Sequence, residues 1–137
     1  MCGISINKGL DNSLANNSKH RGIYTSDVTV EEDITLTHHT LPIQVTDSDA
    51  QSDLRQPVRL EEGYMLFNGE LFNGYDKDKF SSDTAYLKAL FFDCHNRGQV
   101  IQKLNTNAIF WEGFWALVIY TAQDGAFTAY TDPLGKK

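Results

Sequence analysis

Apolar and polar positions alternate in short runs through the first part of the chain and gather into bulkier runs later. Cys2 to Ile6 alternates as a short strand does. Asn7 to Asn17 is rich in Asn, Gly and Asp, with Leu10 and Leu14 at helical spacing, which predicts a loop with a weak short helix ended by Arg21-Gly22. Val28 to Val30 and Ile34 to Thr37 read as strands around the acidic turn Glu31-Glu32-Asp33. Residues 46–57 are polar and end in Gln56-Pro57, a surface loop by composition. Gly63 to Asn68 is a β-type run, Asn68-Gly69 a tight-turn signal, and Glu70 to Asn73 the returning partner strand. Gly74 to Lys79 is a charged connection, with Asp76-Lys77-Asp78-Lys79 read as a solvated loop. A helix is predicted from Thr84 to Arg97. Its Leu87, Leu90, Phe91 and Cys94 share one face, Ser82-Asp83 precede it, and Gly98 fits its C-cap. Phe114 to Thr121 and Ala126 to Thr131 read as strands paired across Gln123-Asp124-Gly125. Strands outnumber helices, and Phe114 to Tyr120 is apolar on both faces. A layered α+β fold with covered sheets fits this better than a β-sandwich open to water.

Composition narrows the class. A chain of 137 residues, 41% of them hydrophobic, is one domain with its own core. The net charge of −6, without blocks of like charge, argues against a nucleic-acid or anionic-membrane surface. No basic segment followed by an apolar run opens the chain, and no stretch reaches transmembrane length. Cys2 and Cys94 lie too far apart in sequence to suggest a disulfide framework. The expectation is a soluble protein of the reducing cytoplasm. His20, His38, His39 and His95 with the two cysteines fit no standard metal-ligand spacing, and Cys94 falls on the apolar helix face. His38 and His39, adjacent on a strand, point to opposite faces. Trp111 and Trp115, four apart, share a face and read as core.

The chemistry concentrates at the N-terminus. Removing Met1 leaves a thiol and a free α-amine on one residue, Cys2. The thiolate is the nucleophilic form, and an α-amine titrates close enough to neutral pH to take the proton. Nucleophile and base then come from one residue.

Several segments occur in order around this feature: Met1-Cys2-Gly3-Ile4, His20-Arg21-Gly22, Leu41-Pro42-Ile43, Gln56-Pro57, Phe67-Asn68-Gly69-Glu70-Leu71-Phe72-Asn73, Ser82-Asp83-Thr84 and Asp132-Pro133-Leu134-Gly135. Together they resemble the class II glutamine amidotransferase domain, most closely that of asparagine synthetases. The resemblance implies the four-layer αββα sandwich of N-terminal-nucleophile hydrolases, here lacking its last strands. It implies hydrolysis of glutamine to glutamate and ammonia without a cofactor or metal. Cys2 would attack the side-chain amide. Asn68 and the Gly69 N–H would stabilise the oxyanion, such donors being worth about 3–4 kcal/mol each. Asp83 would hold the substrate α-ammonium, and Glu70 would orient the same end. With no phosphate-binding glycine loop and no synthetase domain, the ammonia acceptor would lie on a partner domain or subunit.

Two places depart from the family pattern. An arginine that grips the substrate α-carboxylate is replaced by Thr40, whose single neutral hydroxyl cannot reproduce a planar two-donor fork. The loss would weaken substrate binding by about 2–3 kcal/mol unless Arg21, Arg55 or Arg59 substitutes. The family's Arg-Gly-Pro-Asp segment reads Arg21-Gly22-Ile23-Tyr24. Two functions follow: a glutaminase feeding a partner, or a catalytically degenerate relative that binds or regulates a partner protein. The first requires processing at the N-terminus. The expected outcome is an intact mass lacking Met1; retention would leave the Cys2 nitrogen in a peptide bond and unable to act as a base.

Overall fold

The structure is a computed structural model that describes residues 2–9, 17, 19–22, 24–40 and 54–136. Its backbone divides into two compact units, Met1–Pro57 and Val58–Lys137. The fold is α+β, with two antiparallel sheets and two α-helices among the described residues. None of those helices is long and apolar enough to cross a membrane.

The first unit holds β1 (Gly3–Lys8), β2 (Tyr24–Val30) and β3 (Ile34–Thr40), in the order β1-β3-β2. Glu31, at φ 53°, turns the β2–β3 hairpin through the left-handed region, and the Gly9 N–H donates to Asp33 O at 2.7 Å. Residues opposite one another in an antiparallel ladder share a face, so the register sorts the side chains. Ile4, Ile6, Val28, Val30, Ile34 and Leu36 lie on one face; Ser5, Asn7, Thr25, Asp27, Thr29, Thr35, Thr37 and His39 lie on the other. Asn7, Thr37 and His39 are buried despite their polarity.

The strands differ in extent from the sequence expectation. β1 begins after Cys2 and absorbs Asn7 and Lys8, because Asn7 pairs with Thr35 and Lys8 with Ile34. β2 starts earlier, at Tyr24, and β3 continues through His38 and His39 to Thr40. Leu10 and Leu14 of the predicted weak helix, the Leu41-Pro42-Ile43 segment and most of the predicted loop at 46–57 lie outside the described residues.

The second unit holds β4 (Val58–Leu60), β5 (Gly63–Asn73), β6 (Glu112–Thr121) and β7 (Ala126–Thr131), in chain order across the sheet. Helices α1 (Asp83–Phe91) and α2 (Arg97–Asn107) cover one face. Met65, Phe67, Leu71, Trp115, Leu117 and Ile119 meet Leu87, Phe91, Cys94, Val100 and Leu104 in one buried cluster. Each large apolar side chain buried there contributes about 1.5–3 kcal/mol. Trp111 and Trp115 pack edge to face in this core at 5.3 Å, as their spacing predicts. The Asp76–Lys79 loop is exposed.

Three expectations are corrected. Asn68-Gly69 is not a hairpin turn: β5 runs unbroken from Gly63 to Asn73 and pairs with β6 along that length, apart from a bulge after Leu71. Gly69 has φ 138° and lies opposite Trp115, where a Cβ would come 2.0 Å from Phe114 O. The glycine there serves a close approach of two strands rather than a reversal. The predicted helix from Thr84 to Arg97 is two helices. α1 ends at Phe91, the Cys94 N–H closes back on Phe91 O at 3.0 Å, and Asn96 caps α2 by accepting from the Gln99 N–H at 3.1 Å. Gly98 therefore sits in the first turn of α2 and is not a C-cap. The apolar stripe continues across the break because Cys94, Val100 and Leu104 all return to the same core.

The Asn96 side chain satisfies a backbone donor that the helix itself leaves open. Asn96→Ala is expected to lower unfolding stability by about 1 kcal/mol and Asn96→Gly by only a few tenths, read from urea denaturation midpoints.

Candidate active site

The short β4 shapes the site in the second unit. It pairs only with Gly63 to Met65, so among the described residues no strand lies beside the edge of β5 from Leu66 onward. Backbone groups alternate between the two edges of a strand. The Leu71 N–H points to the uncovered edge, where Asp83 Oδ2 accepts it at 3.1 Å. Gly69, two residues earlier, faces the same edge. Its opposite residue confirms this: the Trp115 N–H donates to Asp132 Oδ2 at 3.2 Å and Trp115 O accepts from the Asp132 N–H at 2.9 Å, both away from β5. The Gly69–Trp115 pair is thus of the closely spaced kind without mutual backbone bonds, which accounts for the glycine.

Asp83 opens α1 and is half-buried. Ser82, the N-cap, accepts from the Ala85 N–H at 3.1 Å, and an acid in the first turn suits the positive end of the helix. Asp83 Oδ1 accepts from the Thr84 N–H at 2.7 Å and the Thr84 hydroxyl at 3.4 Å. Burial nevertheless pushes its carboxyl above the ordinary value. The Leu71 and Thr84 hydrogen bonds pull it down, and the neighbouring Glu70 carboxylate pushes it further up. No Lys, Arg or His among the described residues forms an ion pair with Asp83. A half-buried carboxylate held in place without a counter-ion is suited to a cationic ligand group.

Aromatic rings flank this carboxylate. Tyr75 stacks on Tyr86 at 5.2 Å, and the Trp111 indole N–H donates to the Tyr86 hydroxyl at 3.2 Å. Burial, then Asp83, then Glu70 raise the Tyr75 phenol above its usual range, so the phenol shares the field of both acids. The sequence reading passed over Tyr75 and Tyr86; the tyrosine at i+3 from Asp83 in α1 was the available signal. Asn68 is nearly buried on the sheet face away from the helices, and Glu70 lies on that same face, exposed.

In the first unit, one end of the sheet gathers the remaining named residues. Cys2 is a half-buried free thiol immediately before β1, next to the Gly3–His39 pair. Thr40 ends β3, and its hydroxyl is 2.8 Å from His38 Nδ1. His39 Nδ1 lies 2.9 Å from the Thr25 hydroxyl. Gly22 follows the 3-10 turn Lys19–Arg21 and passes so close to β3 that a Cβ would sit 2.6 Å from the carbonyl carbons of His39 and Thr40. Of the arginines named with Thr40, Arg59 donates to the Tyr64 hydroxyl at 3.4 Å, while Arg21 and Arg55 are exposed. Thus Asn68, Gly69, Glu70 and Asp83 gather around β5, and Cys2 and Thr40 lie at one end of the first sheet. Among the described residues no group of three or more His, Cys, Asp or Glu is placed to hold a metal ion.

Comparisons with protein-family models, with curated proteins and with solved structures return no match. The functional reading rests on the residues and their geometry.

The raised Asp83 carboxyl has a definite sign. Its ionised form is disfavoured in the folded chain, so ionisation costs stability; the cost is absent below the ordinary value of 3.8 and grows as pH rises through the higher folded value. Wild type should therefore gain stability relative to Asp83→Asn as pH falls through that window. Paired denaturation curves across the acid range check it, and a gap that moves the other way refutes the assignment.

Proposed function

We propose that the chain is a glutaminase-type amidotransferase that hydrolyses glutamine to glutamate and ammonia, within a four-layer αββα arrangement. The observation that carries this reading is the Asp83 carboxylate bonded to the Leu71 N–H on the same uncovered edge as Gly69. An ammonium anchor and an oxyanion donor are what an amino-acid amide needs at its two ends.

Each residue has a defined task. The Cys2 thiol loses its proton to the α-amine left by removal of Met1, and the thiolate attacks the side-chain amide carbon. The tetrahedral oxyanion accepts from the Gly69 N–H and the Asn68 side-chain amide. The α-ammonium then protonates the departing nitrogen, and ammonia leaves a thioester at Cys2. Water, activated by the same amine, cleaves the thioester to glutamate and regenerates the thiol. Asp83, supported by Glu70, holds the substrate α-ammonium and is relieved of its buried charge by doing so. The ammonia passes to an acceptor on another domain or subunit.

One observation favours a second reading. Thr40 stands where the family has its carboxylate-gripping arginine, and its hydroxyl already meets His38 Nδ1. A domain that has lost this grip and kept the frame would serve as a binding or regulatory module for a partner protein.

Glutamate release from glutamine by chain lacking Met1 separates the two. Turnover abolished in Cys2→Ala establishes the enzyme. Asn68→Ala is then expected to lower kcat by about two to three orders of magnitude, and Asp83→Asn to act mainly on KM. Thr40→Arg should lower KM by about 30–100-fold, the equivalent of one restored charged contact. No glutamate from processed protein, with glutamine in large excess, sinks the stand-alone enzyme and leaves the binding module.

A further inference from the structure

The chain contains two Asn-Gly pairs, Asn68-Gly69 and Asn73-Gly74, and the fold treats them oppositely. We propose that Asn73-Gly74 is a site of spontaneous deamidation, held in check by Glu112, and that Asn68-Gly69 is protected. The proposal is independent of the glutaminase reading.

The chemistry needs no enzyme. The Gly74 backbone nitrogen attacks the Asn73 side-chain carbonyl carbon. A carbon–nitrogen bond forms, the side-chain amide bond breaks, and ammonia leaves with the proton lost from the Gly74 N–H. Water then opens the cyclic imide at either carbonyl, giving aspartate or isoaspartate. A glycine on the C-terminal side leaves the attack unhindered, because no Cβ blocks the approach. The attack also needs backbone freedom that a strand interior denies.

Asn68 lacks that freedom. It is 7% exposed, lies in mid-strand opposite Ala116, and Gly69 beside it is pressed against Phe114 and Trp115. Asn73 is different. It is exposed, forms the last pair of β5 beyond the bulge at Leu71, and hands the chain to the exposed connection that begins at Gly74. Gly74 has φ 102° and, although a Cβ there would come 2.7 Å from the Trp111 ring and 2.8 Å from Phe110 O, it is exposed and stands outside the ladder, with no strand pairing to hold its backbone. The Asn73 side chain is held by Glu112: its Nδ2–H donates to Glu112 Oε2 at 2.7 Å. That bond fixes the amide against rotation toward Gly74. Once lost, it is not replaced: the product carboxylate has no proton to donate and faces the Glu112 carboxylate, so the end of the β5–β6 ladder opens.

The test is incubation of the full chain, folded and denatured in parallel, at mildly alkaline pH. Peptide mapping with fragmentation reads the amide-to-acid mass gain and the isoaspartate at each site. In denatured chain both sites should convert. In folded chain Asn73 should convert and Asn68 should not, with isoaspartate in the product. Glu112→Ala should accelerate conversion at Asn73 several-fold without exposing Asn68, and Asn73→Ser should abolish it. Equal conversion of both sites in folded chain overturns the proposal. So does an unreacted Asn73 over a time in which denatured chain is converted. An unchanged rate in Glu112→Ala overturns the role given to Glu112.

Discussion

The close approach of β5 and β6 is the constraint on which the second unit depends. Gly63, Gly69 and Gly113 each occupy a point in this ladder where a Cβ would lie 2.0 Å from a carbonyl oxygen of the opposite strand. A side chain at any of them would force the strands apart and break the ladder bonds on either side. The strands stay together because Met65, Phe67, Leu117 and Ile119 are buried beneath the two helices, and because Asp132 takes the backbone N–H of Trp115 that has no partner in β5. Asp132 also accepts from the Leu134 and Lys136 N–H groups, so one buried carboxylate organises the Asp132-Pro133-Leu134-Gly135 turn as well as the end of β6.

The same ladder creates the candidate site by leaving something undone. β4 ends early, and the backbone of β5 beyond it would be wasted in a uniform sheet. The N-terminus of α1 comes to that edge, and Asp83 closes the Leu71 N–H while keeping a carboxylate available. The energetic tension is visible in the raised carboxyl: burial disfavours the charge, and three hydrogen bonds only partly offset it. Sites that bind cations often hold such a carboxylate, because the ligand supplies the missing charge.

The first unit obeys a different balance. Its register gathers the aliphatic side chains on one face, with Ser26, His38 and Thr40 among them, and sets hydroxyls, an amide and the His39 imidazole on the other; polar groups are buried on both faces. Buried polar groups demand partners, and the Thr25–His39 and His38–Thr40 contacts answer part of that demand. Thr40 therefore has a local structural role, which is a reason for threonine at that position apart from any substrate.

Cys2, Asn68, Gly69, Glu70 and Asp83 stand out in the sequence because their types carry chemistry, and the bond from the Leu71 N–H to Asp83 is what the fold adds to them. Other features were legible outright: the β2–β3 turn, the pairing of β6 with β7, and the core positions Leu87, Phe91 and Cys94, all set by local periodicity and turn chemistry. Asn68-Gly69 was misread because turn propensity is local, whereas β6, which pairs with it, lies far along the chain. The break between α1 and α2 was missed because the apolar spacing runs on across it, and only the Asn96 cap marks the new start. The sequence by itself determined which side chains are apolar, which carry chemistry and where short-range turns fall. Tertiary structure alone decided that β5 is continuous, that β4 pairs with only its first residues, and that Asp83 meets Leu71 beyond them, since each depends on contacts between segments that no local rule connects.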